Sequence, residues 1–137
     1  MTSTSLAQSY LIKAQKRLKM LGVLMTEEAY SDVVREAQEI VELALKGMLR
    51  QAGVEPPHWH DVGDMLREYR ARFPAPAADQ IDRLAEISAW LRKEREFSFY
   101  GDIDFIPTER YTQTEAVRAR DEAQLVVRAA ETVIASV

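Results

Sequence analysis

Basic and aromatic side chains are concentrated between residues 88 and 111. Three of the basic ones, Arg92, Arg95 and Arg110, could form a fork around a phosphate group, because a planar guanidinium donates paired hydrogen bonds to phosphate oxygens. The rings of Tyr100 and Phe99 could stack on a nucleobase. We therefore take this segment as the candidate site, and its chemistry favours the binding of a phosphate or a nucleotide.

The same residues also have a purely structural interpretation. Cations in the last turn of a helix stabilise its negative end and need no ligand for that role. Aromatic side chains at a helix break often fill the core. The sequence therefore allows two interpretations of this segment, a recognition surface and the end of a helix without a ligand.

Most signatures of catalytic chemistry are absent from the sequence. There is no cysteine, which excludes disulfides, thiolate zinc sites and cysteine nucleophiles. Glycine-rich nucleotide loops and the common hydrolase motifs are also missing. His58 and His60 are the only histidines, and two imidazoles without cysteine make a weak metal site, so we predict no metal and no cofactor.

Two amphipathic helices that could position the site are predicted in the first half of the chain. Apolar residues recur every three or four positions from about Ser5 to Leu21, and Gly22 is a favourable place for helix 1 to end. Thr26 provides a capping hydroxyl for a long helix 2, whose broad apolar stripe is typical of a central core helix. Gly53 and the prolines after it should end that helix.

Three more helices are predicted in the second half. A short helix 3 runs from Val62 to Tyr69, with Asp61 as its N-cap. Helix 4 carries the chain into the candidate site and should fray between residues 94 and 97. The capping box at Thr112–Glu115 starts an alanine-rich helix 5, which should pack on helix 2 or across a dimer interface.

Composition and length indicate one folded domain. The chain has 137 residues, of which 47% are hydrophobic and 29% charged, which suits a single domain with a real core. No strand is needed, so we predict one all-α domain over residues 1–137, an up-and-down bundle of four to five helices.

Charge and hydropathy limit the partners. No apolar run approaches the roughly 18 residues of a membrane span and no signal peptide is evident, so we expect a cytoplasmic protein without a membrane partner. The net charge of −4 disfavours nonspecific nucleic-acid binding but permits a local basic patch.

Three segments share a pattern with a known family, namely Ala29–Leu49, His60–Leu66, and Phe99–Asp102 together with Tyr111. They resemble the HEPN family, whose name stands for higher eukaryotes and prokaryotes nucleotide-binding. Ala29–Leu49 is similar to a family helix with a tyrosine, an alanine-glutamine pair and an alanine-leucine-lysine run. His60–Leu66 contains the histidine-aspartate pair that opens the next helix. Phe99–Asp102 and Tyr111 fall where such proteins have an arginine-tyrosine-proline-aspartate segment and a similar tyrosine.

The resemblance implies a HEPN-like helical bundle, commonly a homodimer. The family includes ribonuclease toxins and nucleotide-binding companions of small nucleotidyltransferases. The toxins carry an arginine followed a few residues later by a histidine, and that pair could move the 2′-hydroxyl proton and stabilise the phosphate without a metal. We expect a nucleotide, RNA or a nucleotidyltransferase-type partner to bind at Arg92, Arg95, Tyr100, Asp102, Arg110 and Tyr111.

The sequence departs from the toxin motif in either of two alignments. In one, Tyr100 stands where the histidine would follow Arg95. In the other, Phe99 takes the place of the arginine and Asp104 that of the histidine. A tyrosine with a pKa of about 10 is a poor general base at neutral pH. We therefore predict a noncatalytic HEPN module that belongs to a toxin-antitoxin-like or nucleotidyltransferase-associated system. One alternative is an active, metal-independent ribonuclease toxin that uses Arg95, Tyr100 and either Asp104 or Asp102. A second alternative is a purely structural dimerisation module.

Overall fold

The computed structural model describes residues 3–56, 58 and 61–134. Within these ranges the regular structure is helical, and the β-type pairing is limited to an isolated bridge between Asp102 and Phe105. The prediction of an all-α bundle is confirmed. No helix in the described ranges is both long enough and apolar enough to cross a membrane. The six α-helices are α1 Ser3–Thr26, α2 Tyr30–Gln51, α3 Val62–Glu68, α4 Ala77–Phe99, α5 Pro107–Arg110 and α6 Gln113–Val133.

The core is organised around α2, as its broad apolar stripe predicts. This helix contacts each of the other five α-helices. Its largest fully buried side chains include Ile40, Leu45 and Met48, and each contributes about 1.5–3 kcal/mol through removal from water. The alanine-rich α6 packs on α2, which confirms that expectation for the last long helix.

The end of α1 differs from the prediction, because the helix continues through Gly22 to Thr26. Leu24 and Met25 pack against the core, and this burial outweighs the roughly 1 kcal/mol that glycine costs inside a helix. The left-handed residue that ends α1 is Glu28, with φ of 56°. The predicted end at Gly22 is therefore wrong.

Thr26 does not cap α2, so that prediction is wrong as well. Its hydroxyl donates a 2.9 Å hydrogen bond to the carbonyl of Gly22 in the last turn of α1. The N-cap of α2 is Ala29, without a side-chain hydrogen bond. At the other end Gly53 adopts φ of 79° and its amide donates to the Arg50 carbonyl, which confirms the predicted stop.

Charge is distributed unevenly over the bundle, and α1 is its basic part. This helix contains Lys13, Lys16, Arg17 and Lys19 and no acidic residue. The four basic side chains are exposed. Because the whole chain has a net charge of −4, the remainder of the sequence carries −8.

The start of α3 follows the sequence closely. The Oδ1 atom of Asp61 accepts a 2.9 Å hydrogen bond from the amide of Gly63, which confirms the predicted N-cap. Gly63 also lies tightly against α4, because a Cβ atom at this position would be 2.9 Å from the Cβ of Ala85. The absence of a side chain therefore lets α3 approach α4.

α4 remains helical to Phe99, so the predicted fraying between residues 94 and 97 is wrong. Ser98 is buried, and the ring of Phe97 lies 5.2 Å from the ring of Phe105 in the following turn. The segment after the helix therefore folds back and supports its last turns.

A tight turn joins α4 to α5. Gly101 adopts φ of 71°, and a Cβ atom there would lie 2.3 Å from the carbonyl oxygen of Phe105. Only glycine suits this combination of conformation and close contact. After α5, Glu115 accepts hydrogen bonds from the amide and the hydroxyl of Thr112, and the predicted capping box of the last helix is confirmed.

Candidate functional site

A polar groove lies between α2 and α4, beside the connector that carries His58. Its volume is about 420 Å³. Residues three or four positions apart share a helix face, so α2 and α4 each contribute a row of polar side chains to the groove. The lining side chains are Gln38, Glu39, Glu42, Lys46, His58, Arg92 and Arg95.

Carboxylates orient the two arginines of α4 in this groove. The Nη1 atom of Arg92 lies 3.4 Å from Oδ1 of Asp61, and its Nε lies 3.9 Å from Oε1 of Glu42. The Nη2 atom of Arg95 lies 3.4 Å from Oε1 of Glu39. These separations exceed the ~2.7–2.9 Å of a charge-assisted hydrogen bond, so guanidinium N–H groups remain able to donate to a ligand.

A second groove of about 380 Å³ adjoins the end of α4 and brings Arg95 together with Tyr100. The side chain of Tyr100 is 78% exposed, and its ring meets the ring of Phe99 edge to face at 4.7 Å. The guanidinium of Arg35 lies 5.4 Å from the centre of the Phe99 ring, and its Nη1 donates a 2.6 Å hydrogen bond to Oε1 of Glu39. Arg95 belongs to the lining of this second groove and of the polar groove.

Arg110 does not join Arg92 and Arg95. Its guanidinium lies 4.8 Å from the centre of the Phe105 ring, in a separate groove that also contains Tyr111. The predicted fork of three arginines therefore reduces to the pair on α4.

Tyr111 is buried, with 6% of its surface exposed, and its hydroxyl donates a 2.6 Å hydrogen bond to Oε2 of Glu94. Burial, and then this hydrogen bond to a carboxylate, raise the pKa of the Tyr111 hydroxyl well above its ordinary value of 10. Tyr111 therefore acts as a packing residue with a neutral hydroxyl, and only part of it reaches the separate groove.

The HEPN domain model matches residues 7–137. The chain belongs to the HEPN family. The resemblance found in the sequence is thereby confirmed. The crystal structure of TT1696 from Thermus thermophilus is similar to this HEPN chain with a TM-score of 0.74, over 91% of this chain and 95% of that one. The sequence identity is 24%, and at that level the likeness concerns the fold. No curated protein matches the chain.

The two aspartates after α4 lie outside both grooves that Arg95 lines in this HEPN chain. The Oδ1 atom of Asp102 accepts a 2.6 Å hydrogen bond from the amide of Ile103, and its backbone pairs with Phe105. Asp104 is exposed. Of the predicted catalytic set, the structure therefore brings together Arg95 and Tyr100 and leaves the carboxylates apart.

Two groove residues of the HEPN fold, His58 and Lys46, were not predicted as site residues. Lys46 lies one turn beyond Glu42 and pairs with it at 3.4 Å, and this polar row opposite the apolar stripe of α2 is a signal in the sequence. His58 has no comparable signal, because it belongs to a connector. His60, its companion in the weak metal motif, lies outside the described residues, and the described part of the chain contains no cluster of three metal-ligating side chains.

Proposed function

We propose that this HEPN domain binds the terminal phosphate of an RNA or a nucleotide in the polar groove between α2 and α4. The observation that carries the proposal is the convergence of Lys46, Arg92 and Arg95 from two helices on one opening. Guanidinium and ammonium groups are strong donors to phosphate oxygens. The Asp61 and Glu39 carboxylates restrain the arginines beforehand, which reduces the side-chain entropy lost on binding.

The charge of the groove favours a small anion over a long polyanion. Lys46, Arg92 and Arg95 are opposed by Glu39 and Glu42 in the lining and by Asp61, which pairs with Arg92 beside the groove, so three cations are balanced by three carboxylates. A nucleic-acid duplex is bound by many phosphate contacts on a basic surface, and this groove has too few cationic side chains to bind a duplex in that way. A single phosphate at the end of a strand fits the groove better.

We infer that the domain does not cleave RNA. Arg95 and Tyr100 share a groove, but the phenol group of a tyrosine is a poor general base at neutral pH. The aspartates that could replace the histidine that is missing after Arg95 in the sequence lie outside the grooves of Arg95.

The binding proposal is tested with fluorescent RNA pentamers that carry a phosphate at the 5′ end, at the 3′ end or at neither end. Fluorescence anisotropy should show tighter binding of a phosphorylated pentamer than of the unphosphorylated one. An Arg92→Ala/Arg95→Ala variant should weaken that binding by at least roughly tenfold, because each charged hydrogen bond is worth about 1.5–3 kcal/mol. Arg120→Ala is the matched control, since Arg120 pairs with its neighbour Asp121 on α6.

Two results would contradict this proposal. One is equal affinity for phosphorylated and unphosphorylated pentamers. The other is unchanged affinity in the double variant while its circular dichroism and thermal unfolding match the parent protein.

One observation favours a second function, a ribonuclease, because His58 lies in the same groove as Arg92 and Arg95. In that case the imidazole would take the 2′-hydroxyl proton and an arginine would stabilise charge on the phosphate. Incubation of single-stranded RNA with stoichiometric protein distinguishes the two functions. Cleavage that is lost in His58→Ala supports the ribonuclease, whereas cleavage lost in Tyr100→Phe assigns the chemistry to the tyrosine. Intact RNA supports the binding function.

We further propose that the domain works as a homodimer beside a small nucleotidyltransferase, as members of a toxin-antitoxin-like pair do. An apolar surface at the end of α4 supports an interface, because its side chains are 43–88% exposed and close in sequence. They are Phe97, Phe99, Tyr100, Ile103 and Ile106.

Light scattering after size exclusion tests the homodimer. The parent protein should have the mass of a dimer, and Ile103→Lys should shift it toward the monomer. Co-expression with a nucleotidyltransferase encoded beside this chain tests the second partner. A dimer that binds neither phosphate nor nucleotidyltransferase would favour the purely structural module.

A further inference from the structure

The groove that contains Arg110 lies on the side of α4 opposite the polar groove. Trp90 and Glu94 are four positions apart and share one face of α4, whereas Arg92 is two positions from each and points to the other face. The volume of this groove is about 390 Å³, within the range of small-molecule sites. We name it the aromatic groove, and its lining side chains are Trp90, Glu94, Phe105, Arg110, Tyr111, Thr114, Glu115 and Arg118.

Two guanidinium groups lie over aromatic rings in the aromatic groove. The Cζ atom of Arg118 is 3.8 Å from the centre of the Trp90 ring, and that of Arg110 is 4.8 Å from the centre of the Phe105 ring. A planar guanidinium on an aromatic ring forms a platform on which a nucleobase stacks readily.

A buried carboxylate restrains the guanidinium of Arg118. The Nε atom of Arg118 lies 3.3 Å from Oε2 of Glu122, whose side chain is 7% exposed. The Arg118 side chain itself is 53% exposed, so the platform is both anchored and accessible.

A carboxylate with a fixed orientation lies in the same groove. The Tyr111 hydroxyl occupies one position on Oε2 of Glu94, which restrains the carboxylate and leaves further lone pairs as acceptors. An ionised carboxylate has no donor, so it selects a ligand edge that presents N–H groups. Guanine presents its N1–H and N2–H side by side, whereas adenine places an acceptor, N1, beside its amino group.

The lining of the aromatic groove has no net charge, because Glu94 and Glu115 balance Arg110 and Arg118. A site of this kind recognises the base and does not depend on a phosphate. It differs in this respect from the polar groove on the opposite face of α4.

We propose that the aromatic groove is a guanine site, in which the base stacks on the guanidinium of Arg118 and donates its N1–H and N2–H to the carboxylate of Glu94. The ligand class is a guanine nucleoside or an unpaired guanine in RNA. This site stands independently of the phosphate site proposed above, because it lies on another face and needs no phosphate.

Guanosine, which has no phosphate, is the probe that separates the two sites. Calorimetric titration of the full chain should show binding of guanosine at least roughly fivefold tighter than binding of adenosine, since one bidentate base contact discriminates by about 1–3 kcal/mol. In a ¹⁵N spectrum the indole signal of Trp90 should move with guanosine. The Arg92→Ala/Arg95→Ala variant should bind guanosine as the parent does, whatever happens to its phosphate binding.

Two variants test the contacts. Glu94→Gln should weaken guanosine binding by roughly tenfold, because the amide replaces one acceptor with a donor. Arg118→Lys keeps the charge but removes the planar platform, and should also weaken binding. Glu86→Gln, at an exposed position of the same helix, is the control and should leave binding unchanged.

Three results would overturn the guanine site. They are equal affinity for guanosine and adenosine, guanosine affinity that is unchanged in both Glu94→Gln and Arg118→Lys, and the absence of any binding at millimolar guanosine. Thermal unfolding of both variants establishes that a lost signal reflects the groove and not the fold.

Discussion

The hydroxyl of Tyr111 lies 2.6 Å from the Oε2 atom of Glu94, and this hydrogen bond ties the segment after α4 back onto α4. The chain reverses at Gly101, between the two residues of this hydrogen bond, and α5 therefore packs beside α4. The two faces of α4 line different grooves, and the returning segment contributes to one of them. One face carries Arg92 and Arg95, and the other carries Trp90 and Glu94.

Removal of the Tyr111 hydroxyl should destabilise the domain. Tyr111→Phe preserves the buried ring but leaves the carboxylate of Glu94 without this donor, and we expect a loss of about 1–3 kcal/mol in the free energy of unfolding. Urea denaturation followed by circular dichroism measures it. Tyr100→Phe is the control, because an exposed hydroxyl should change stability by less than ~0.5 kcal/mol. Equal effects of the two substitutions would contradict the role of this hydrogen bond.

The contribution of Tyr111 should also depend on pH. Burial and the Glu94 carboxylate raise the pKa of Tyr111 in the folded state above 10, the ordinary value that it has when unfolded. Above that pH the unfolded tyrosine ionises while the folded one keeps its proton, so the unfolded state is favoured. The stabilisation that Tyr111 provides is therefore complete below pH 10 and is lost as the pH rises toward the pKa of Tyr111 in the folded state.

Urea titrations between pH 8 and pH 11.5 check this dependence. The difference in unfolding free energy between the parent protein and Tyr111→Phe should be constant up to about pH 10 and then narrow by at most ~1.4 kcal/mol per pH unit. A difference that widens with pH would show that the pKa of Tyr111 is not raised.

Gly22→Ala should stabilise the domain. Gly22 lies inside α1, and a Cβ atom there would have no neighbour within 4 Å apart from the adjacent backbone of the same helix. Alanine is the better helix former by about 0.8–1 kcal/mol, so the midpoint of thermal unfolding should rise by a few degrees. A lower midpoint would indicate that α1 ends at this glycine, as the sequence pattern alone predicts.

Gly63→Ala should have the opposite effect. The new Cβ would lie 2.9 Å from the Cβ and 3.1 Å from the Cα of Ala85, so α3 or α4 must shift. Overpacking of this kind costs about 1–3 kcal/mol, which exceeds the gain in helix propensity. Comparison with Gly22→Ala in the same denaturation experiment isolates the contact between the helices, and equal gains would contradict it.

Local hydrogen bonds explain which parts of the fold are predictable from the sequence. Asp61 as an N-cap, Gly53 as a helix stop and the capping box at Thr112 each depend on partners within a few residues. The true ends of α1 and α4 depend instead on distant packing, and Phe97 contacts Phe105 across a turn. Propensity does not contain that information.

The candidate site was predictable as a segment but not as a surface. Arg92, Arg95 and Arg110 are close in sequence, yet the reversal at Gly101 places Arg110 in another groove. His58 joins the two arginines of α4 from a connector, which only the tertiary fold brings there. Helical periodicity does indicate that Glu94 and Arg92 face different sides of α4.

The basic character of α1 gives the whole molecule a permanent electric dipole. Three exposed lysines lie on α1 together with Arg17, which pairs with Glu36 of α2 at 3.3 Å, while the rest of the chain carries −8, so the charge is unevenly distributed. At low ionic strength an asymmetric field of this kind orients a protein before contact. At pH 7 the chain should therefore bind an anion exchanger, as its net charge of −4 requires, with α1 turned away from the resin, and should be released as salt screens that field.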